Sequence, residues 1–181
     1  MAFIWELLSS VFRIVFLRGS PERIYYTRRL AIVALLSAVL ASGSAQWLFF
    51  GDHVVFIILR VFAEITLFML MMVFLTAKIT RFRLARMMLV LVMISLLTDV
   101  VLVLLSPFFF LEWLNVDHAR DYAQYLAYGF GVVAAYGAAS VLSWGLRKPW
   151  VSGAMLIGTY IVGVVALNSG FRHLYQIIAA G

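Results

Sequence analysis

The chain has 181 residues, of which 65% are hydrophobic and 12% charged, with a net charge of +6. A soluble domain carries about a quarter charged residues, so this chain has too little polar surface to enclose a core in water and belongs in a bilayer. It contains no cysteine, which excludes disulfides, thiolate metal sites and cysteine nucleophiles. Its basic residues flank apolar stretches, where they signal topology rather than nucleic-acid binding.

Residues 1–18 form the first apolar segment. Glu6, Ser9, Ser10 and Arg13 recur on one helical face, and Phe3, Leu7, Leu8, Val11, Phe12 and Val15 cover much of the rest. The segment is shorter than the ~20 residues a span requires, so an amphipathic helix lying in the interface is expected over residues 1–20. A sixth, tilted span is the rival reading. No basic residue precedes the apolar run and Glu6 interrupts it, which argues against a signal peptide.

Five spans follow, at about 30–50, 54–77, 87–106, 122–146 and 150–168. Ser20, Pro21 and Glu22 suit a helix start ahead of the first. Ser37, Ala41 and Ala45 give span one a small-residue face that allows another helix close approach. Trp47, Phe49 and Phe50 mark the interface at its far end. Span two runs into a basic turn, Lys78 to Arg86, and span three is expected to stop at Pro107. Pro107 to Asp121 reads as an aromatic, acidic outer loop. Gly131, Ala135, Ala139 and Ser143 form a second small-residue stripe on span four, and substitution of Ala135 or Ala139 by leucine is expected to push helices apart. Arg147-Lys148-Pro149 makes a short turn into span five, which carries Gly153, Gly158 and Gly163; the tail from Ser169 is expected to lie on the membrane. The fold class is therefore all-α, a polytopic helix bundle forming a single membrane domain over 1–181.

Eleven of the 14 lysines and arginines fall before span one, between spans two and three, or between spans four and five. Loop bias of this kind sets orientation. It predicts a cytoplasmic N-terminus and an outer C-terminus, with a bacterial inner membrane as the expected location.

Charge inside the spans is the strongest functional signal. Arg60 and Glu64 lie in span two and Asp99 in span three. At ~1.5 Å per residue, Arg60 is about 9 Å and Asp99 about 10 Å from the outer end, with Glu64 one turn deeper. The short turn between the spans suggests that they are neighbours and that Arg60 meets Asp99. A lone charge at mid-bilayer costs at least ~2.5–3.5 kcal/mol, so these three residues are expected to form an ionic cluster. Two readings fit it: a structural clasp that sets which helices pack, and a proton or cation site in which an acid titrates.

His53, His118 and His173 all fall in outer segments. Imidazoles can ligate metal, but no HxxxH-type spacing occurs, and solvated loop histidines are the simpler reading. No histidine lies inside a span to ligate a haem. GxSxG, HExxH, GxxxxGK and GxGxxG are all absent, so neither a cofactor nor enzymatic chemistry is indicated.

The layout resembles the bacterial branch of the Yip-type (Ypt-interacting protein) five-span family. The resemblance rests on the amphipathic N-terminus, the lead Gly19-Ser20-Pro21-Glu22-Arg23-Ile24-Tyr25-Tyr26, the five close spans and the basic turn Lys78 to Arg86. It implies a small integral membrane protein with a scaffolding or trafficking-related role and no enzymatic chemistry. The eukaryotic branch binds Rab-type GTPases through a cytoplasmic N-terminal region, which in this chain is a short apolar segment ahead of span one. The leading expectation is a non-enzymatic scaffold or accessory subunit, partnered by lipid and by other membrane proteins or copies of itself. The alternative is a proton- or cation-linked transport component using Glu64 and Asp99.

Overall fold

The computed structural model describes residues 26–50, 53–110 and 119–180, together with the isolated positions 9 and 13. Apart from positions 9 and 13, the interfacial helix expected over 1–20 lies outside the described residues, as do His118 and the helix start expected at Ser20-Pro21 ahead of span one. Those described form five helices: α1 (Arg28–Phe50), α2 (Val54–Thr76), α3 (Arg81–Phe110), α4 (Ala119–Leu146) and α5 (Trp150–Ala180), with no strand among them. All five are long and apolar enough to cross a membrane. Helix is the form such segments must take, because bilayer interior offers no water to satisfy backbone N–H and C=O groups. Side-chain hydroxyls are satisfied in the same way: Thr66, Thr98, Ser140 and Thr159 each donate to the carbonyl four residues back.

Local chemistry sets the helix ends. Thr27 caps α1, its Oγ1 accepting from Leu30 N–H at 3.2 Å. The α4–α5 turn is a Schellman motif: Lys148 N–H donates to Ser143 C=O and Arg147 N–H to Trp144 C=O, with Arg147 at φ 53° in the position usually held by glycine. Ser143 Oγ adds a 2.7 Å bond to the Lys148 carbonyl, and Pro149 blocks continuation of α4.

Two boundaries depart from the sequence reading. Helix α3 runs through Pro107 to Phe110. Proline has no N–H for the carbonyl four residues back, here Val103, and the Ser106 hydroxyl donates to that carbonyl at 2.7 Å. Helix α5 does not stop at Asn168 but continues to Ala180. Asn168, Ser169 and Gly170 are weak helix formers but none is a proline, and Tyr175 on the continuation packs its ring against Phe56 and His53, with centroids 5.5 and 5.0 Å apart.

The helices pack in the circular order α1–α3–α4–α5–α2 and back to α1. Helices α2 and α3, joined by four residues, barely touch. Instead α2 leans on α5 through Phe56–Tyr175, Phe68–Tyr160 and Leu67, whose Cδ2 would lie 3.0 Å from a Cβ at Gly163. Packing is densest towards the end that carries the basic turns, here called the basic end. Leu75, Met87, Val90, Val141 and Leu142 are fully buried there. Met72, Met87 and Met93 belong to this core, as adaptable filler. The outward faces carry Phe62, Leu70, Val132, Met155 and Val162, as a lipid-facing surface should.

Of the small residues singled out in the sequence, Ala45 and Ala139 are buried, whereas Ser37 and Ala41 are half-buried; the other buried small residues described on α1 are Ala34 and Ala38. The second stripe is used inside the bundle. Gly153 of α5 lies directly on the α4 backbone, where an added Cβ would collide with the Ala139 carbonyl and come within 2.8 Å of Ser143 N.

Candidate functional site: an acid-lined cavity between the helices

A ring of five helices with uneven packing leaves space at its centre. Two adjoining chambers occupy it, of about 580 Å³ and about 250 Å³. Both are bordered by Ser42, Glu64, Ser95, Asp99 and Tyr160, which form a polar collar between them. Helical spacing builds each contribution. Ser42 and Gln46 are one turn apart on α1, as are Arg60 and Glu64 on α2 and Ser95 and Asp99 on α3; Tyr160, Val164 and Asn168 step along one face of α5.

Glu64 is the hub. Its Oε1 pairs with Arg60 Nε at 3.4 Å. Its Oε2 accepts from Gln46 Nε2 at 3.0 Å and Ser42 Oγ at 3.4 Å, and Gln46 Nε2 also reaches Ser42 Oγ at 3.3 Å. One carboxylate thus ties α1 to α2. These bonds fix the Gln46 amide orientation, since a carboxylate can only accept. Gln46 is 3% exposed, and its Oε1 is left without a partner, as is the Oδ1 of Asn168.

Asp99 is different. The expected Arg60–Asp99 ion pair does not form; Arg60 pairs within its own helix, with Glu64. The reason is the ring order, which sets α2 against α5 and α1 and leaves α3 across the cavity. Arg60, Glu64 and Asp99 nevertheless border the same smaller chamber. Among the described residues Asp99 has no hydrogen-bond or ion-pair partner. With Arg60 set against Glu64, the trio carries one unbalanced carboxylate in a low-dielectric setting.

The other sequence candidates scatter. Gly131 and Ala135 border the larger chamber and Ala45 the smaller. His53 packs edge-on against Tyr175, and His173 is exposed. Among the described residues no three His, Cys, Asp or Glu side chains gather in a way that would hold a metal ion. Four members of the site were missed in the sequence: Ser42, Gln46, Tyr160 and Asn168. Gln46 was findable, as an amide inside an apolar span and one turn from a serine; Asn168 was read as a span end.

The arrangement presents carboxylate, amide and hydroxyl oxygens, with one guanidinium already paired. Such a set suits protons, hard cations and cationic groups of organic ligands. No protein-family model, no characterised protein and no solved structure matches this chain.

Proposed function

We propose that this protein is a proton- or cation-linked transport component of a membrane, with Asp99 and Glu64 as the residues that take and release the charge. One observation carries the reading: Asp99 stands at a cavity inside an apolar bundle with no partner among the described residues. An intramembrane carboxylate of this kind is costly unless it works with an ion, a proton or a substrate. The scaffold reading, which leads from the sequence, relied on small-residue faces to hold partners or other copies of the chain. Ala139 and Ser143 are already occupied by Gly153, and Ala34, Ala38 and Ala45 are buried within the bundle, which weakens that support.

The membrane proposed is a bacterial inner membrane, with the N-terminus cytoplasmic and the C-terminus outside. In support, Arg28 and Arg29, the Lys78 to Arg86 turn and Arg147-Lys148 all lie at one end of the bundle. A reporter after Gly181 is then active outside and one near Arg81 inside.

The test of function is flux. Purified protein in sealed vesicles should relax an imposed proton or sodium gradient faster than empty vesicles, and Asp99→Asn and Glu64→Gln should remove the difference. Flux equal in the wild type and both variants would overturn the reading; retention of co-purifying partners by those variants would then favour the scaffold.

A further inference from the structure

The larger chamber is mismatched to a bare ion. At about 580 Å³ it falls in the ~300–1,000 Å³ range of small-molecule sites. Its walls are apolar over most of their extent, with Ala38, Val61, Phe68, Leu89, Val92 and Ile157 among them. Ser42, Glu64, Ser95, Asp99 and Tyr160 gather where it meets the smaller chamber, with Thr98 beside them, while Tyr26 and Arg28 line it at the basic end. A ligand that matches this outline has an apolar body and one polar end.

Charge decides what that end is. The unmet groups on that side are electron-rich oxygens: the Asp99 carboxylate, which borders both chambers, and, beyond it in the smaller chamber, Gln46 Oε1, 97% buried with its residue, and Asn168 Oδ1. The one guanidinium, Arg60, is set against Glu64. Phe68 and Tyr160 form an edge-to-face pair beside the acids, centroids 6.4 Å apart, and aromatic faces attract organic cations. An anionic amphiphile fits only in reverse, with its headgroup near Arg28 at the basic end and its methyl end against the acids, which leaves the oxygens unmet.

The route in is lateral. Ile32 and Leu35 of α1 and Ile65 and Met69 of α2 border the chamber, yet they are 49, 47, 36 and 47% exposed. Helices α1 and α2 are tied by the Ser42, Gln46 and Glu64 bonds on the side away from the basic end. Nearer that end the chamber opens between them towards the lipid.

Resting on the reading of Glu64 and Asp99 as a cation site, we propose that the larger chamber binds a lipophilic monovalent cation. It enters from the bilayer between α1 and α2, and its charge comes to rest at Asp99 and Glu64.

The probe is tetraphenylphosphonium, applied to the full chain in phosphatidylcholine nanodiscs, with empty nanodiscs as the blank. Saturable binding is expected. Loss of the Asp99 charge in Asp99→Asn should weaken it about tenfold or more, as removal of a partner to a desolvated charge does. Ile65→Trp, at an exposed position on the chamber's border, should slow association by narrowing the portal. Binding no greater than to empty nanodiscs would overturn the inference, as would saturable binding unchanged in both variants. Saturable oleate binding that survives Asp99→Asn and displaces the probe would also overturn it and assign the chamber to an anion. Proton or sodium flux in vesicles separates the two claims. Asp99-dependent flux without probe binding sinks only the substrate class; absence of any such flux, with no probe binding, sinks the reading beneath it.

Discussion

The two ends of this bundle are built differently. At the basic end α3, α4 and α5 interlock. Met87, Val90, Val141 and Leu142 are fully buried, and Gly153 lets two backbones touch. Towards the opposite end α1 and α2 are held by hydrogen bonds to one carboxylate, and from that collar the larger chamber runs back towards Arg28. Lipid tails are as apolar as leucine, so helix association inside a membrane rests on close packing and polar links rather than on exclusion of water. The α3–α4–α5 seam uses the first means and the α1–α2 link the second. The contrast implies that stability is concentrated where function is not, and that α1 and α2 are the pair able to part.

The packed end should be the most sensitive. Gly153→Ala places a Cβ against the Ala139 carbonyl, and backbone cannot rotate away as a side chain can. A loss of about 3 kcal/mol or more is expected, at the upper end of overpacking penalties, read as a drop in the thermal midpoint in mild detergent. Gly158→Ala is the internal control. Nothing lies within 4 Å of a Cβ there, so it should be neutral or slightly stabilising, by up to about 1 kcal/mol. Equal behaviour of the two would show that the α4–α5 seam is looser than described.

Next comes a pair of residues one turn apart on α4. Ala139 is 1% exposed and sits in the seam, whereas Ala135 borders the larger chamber. Ala139→Leu should cost roughly 1–3 kcal/mol. Ala135→Leu has room to extend and should stay within about 0.5 kcal/mol, while reducing tetraphenylphosphonium binding. The sequence pattern grouped both as one packing stripe; only their surroundings part them. A destabilised Ala135→Leu would mean that the chamber closes in solution.

Around the smaller chamber the effects are electrostatic and smaller. Arg60 and Glu64 are one turn apart and in contact, so a double-mutant cycle with Arg60→Ala and Glu64→Gln should show a coupling of about 1 kcal/mol. The same cycle between Arg60 and Asp99 should give a value near zero, and exchanging those two residues should not restore stability. Coupling of Arg60 to Asp99 as strong as to Glu64 would mean that α2 and α3 are neighbours after all.

That last point marks where sequence reasoning stops. Five spans were legible because runs of apolar residues admit no other structure in a bilayer, and Arg60, Glu64 and Asp99 stood out because charge there is expensive. The Arg60–Glu64 pair was legible too, from i, i+4 spacing; the partners across helices were not. Chain connectivity suggested α2 beside α3, but contacts made by Leu67, Phe56 and Phe68 draw α2 to α5. Depth alone matched Arg60 to Asp99, but the ring order leaves α3 across the cavity from α2, and Arg60 keeps the contact with Glu64 that helical spacing supplies. Pro107 and Asn168 misled for a related reason. Each is a local stop signal, and each is overridden by one interaction, the Ser106 hydroxyl in the first case and the Tyr175 packing in the second.

The smallest expected effect returns to the packed end and has the opposite sign. Arg147 holds φ 53° at the close of α4, a left-handed conformation in which the Cβ of any residue but glycine crowds the following carbonyl, at a cost of about 1–2 kcal/mol. The Schellman bonds from Lys148 and Arg147 need that conformation, so the strain cannot be relaxed without losing two helix-terminal carbonyl partners. Glycine meets the same geometry without the crowding, at the expense of greater freedom in the unfolded chain. Arg147→Gly should therefore raise stability by about 0.5–1 kcal/mol, and Arg147→Ala, which keeps a Cβ and removes only the charge, should not. The pair separates backbone strain from side-chain loss. Arg147 is exposed and has no side-chain partner among the described residues, so little is lost with its guanidinium beyond one of the basic residues that orient the chain. If Gly and Ala lowered the thermal midpoint equally, the guanidinium would be holding the turn and the strain would be immaterial. If Gly alone raised it, the tight end of the bundle would be shown to carry a removable strain, while Lys148 still supplies charge to the same turn.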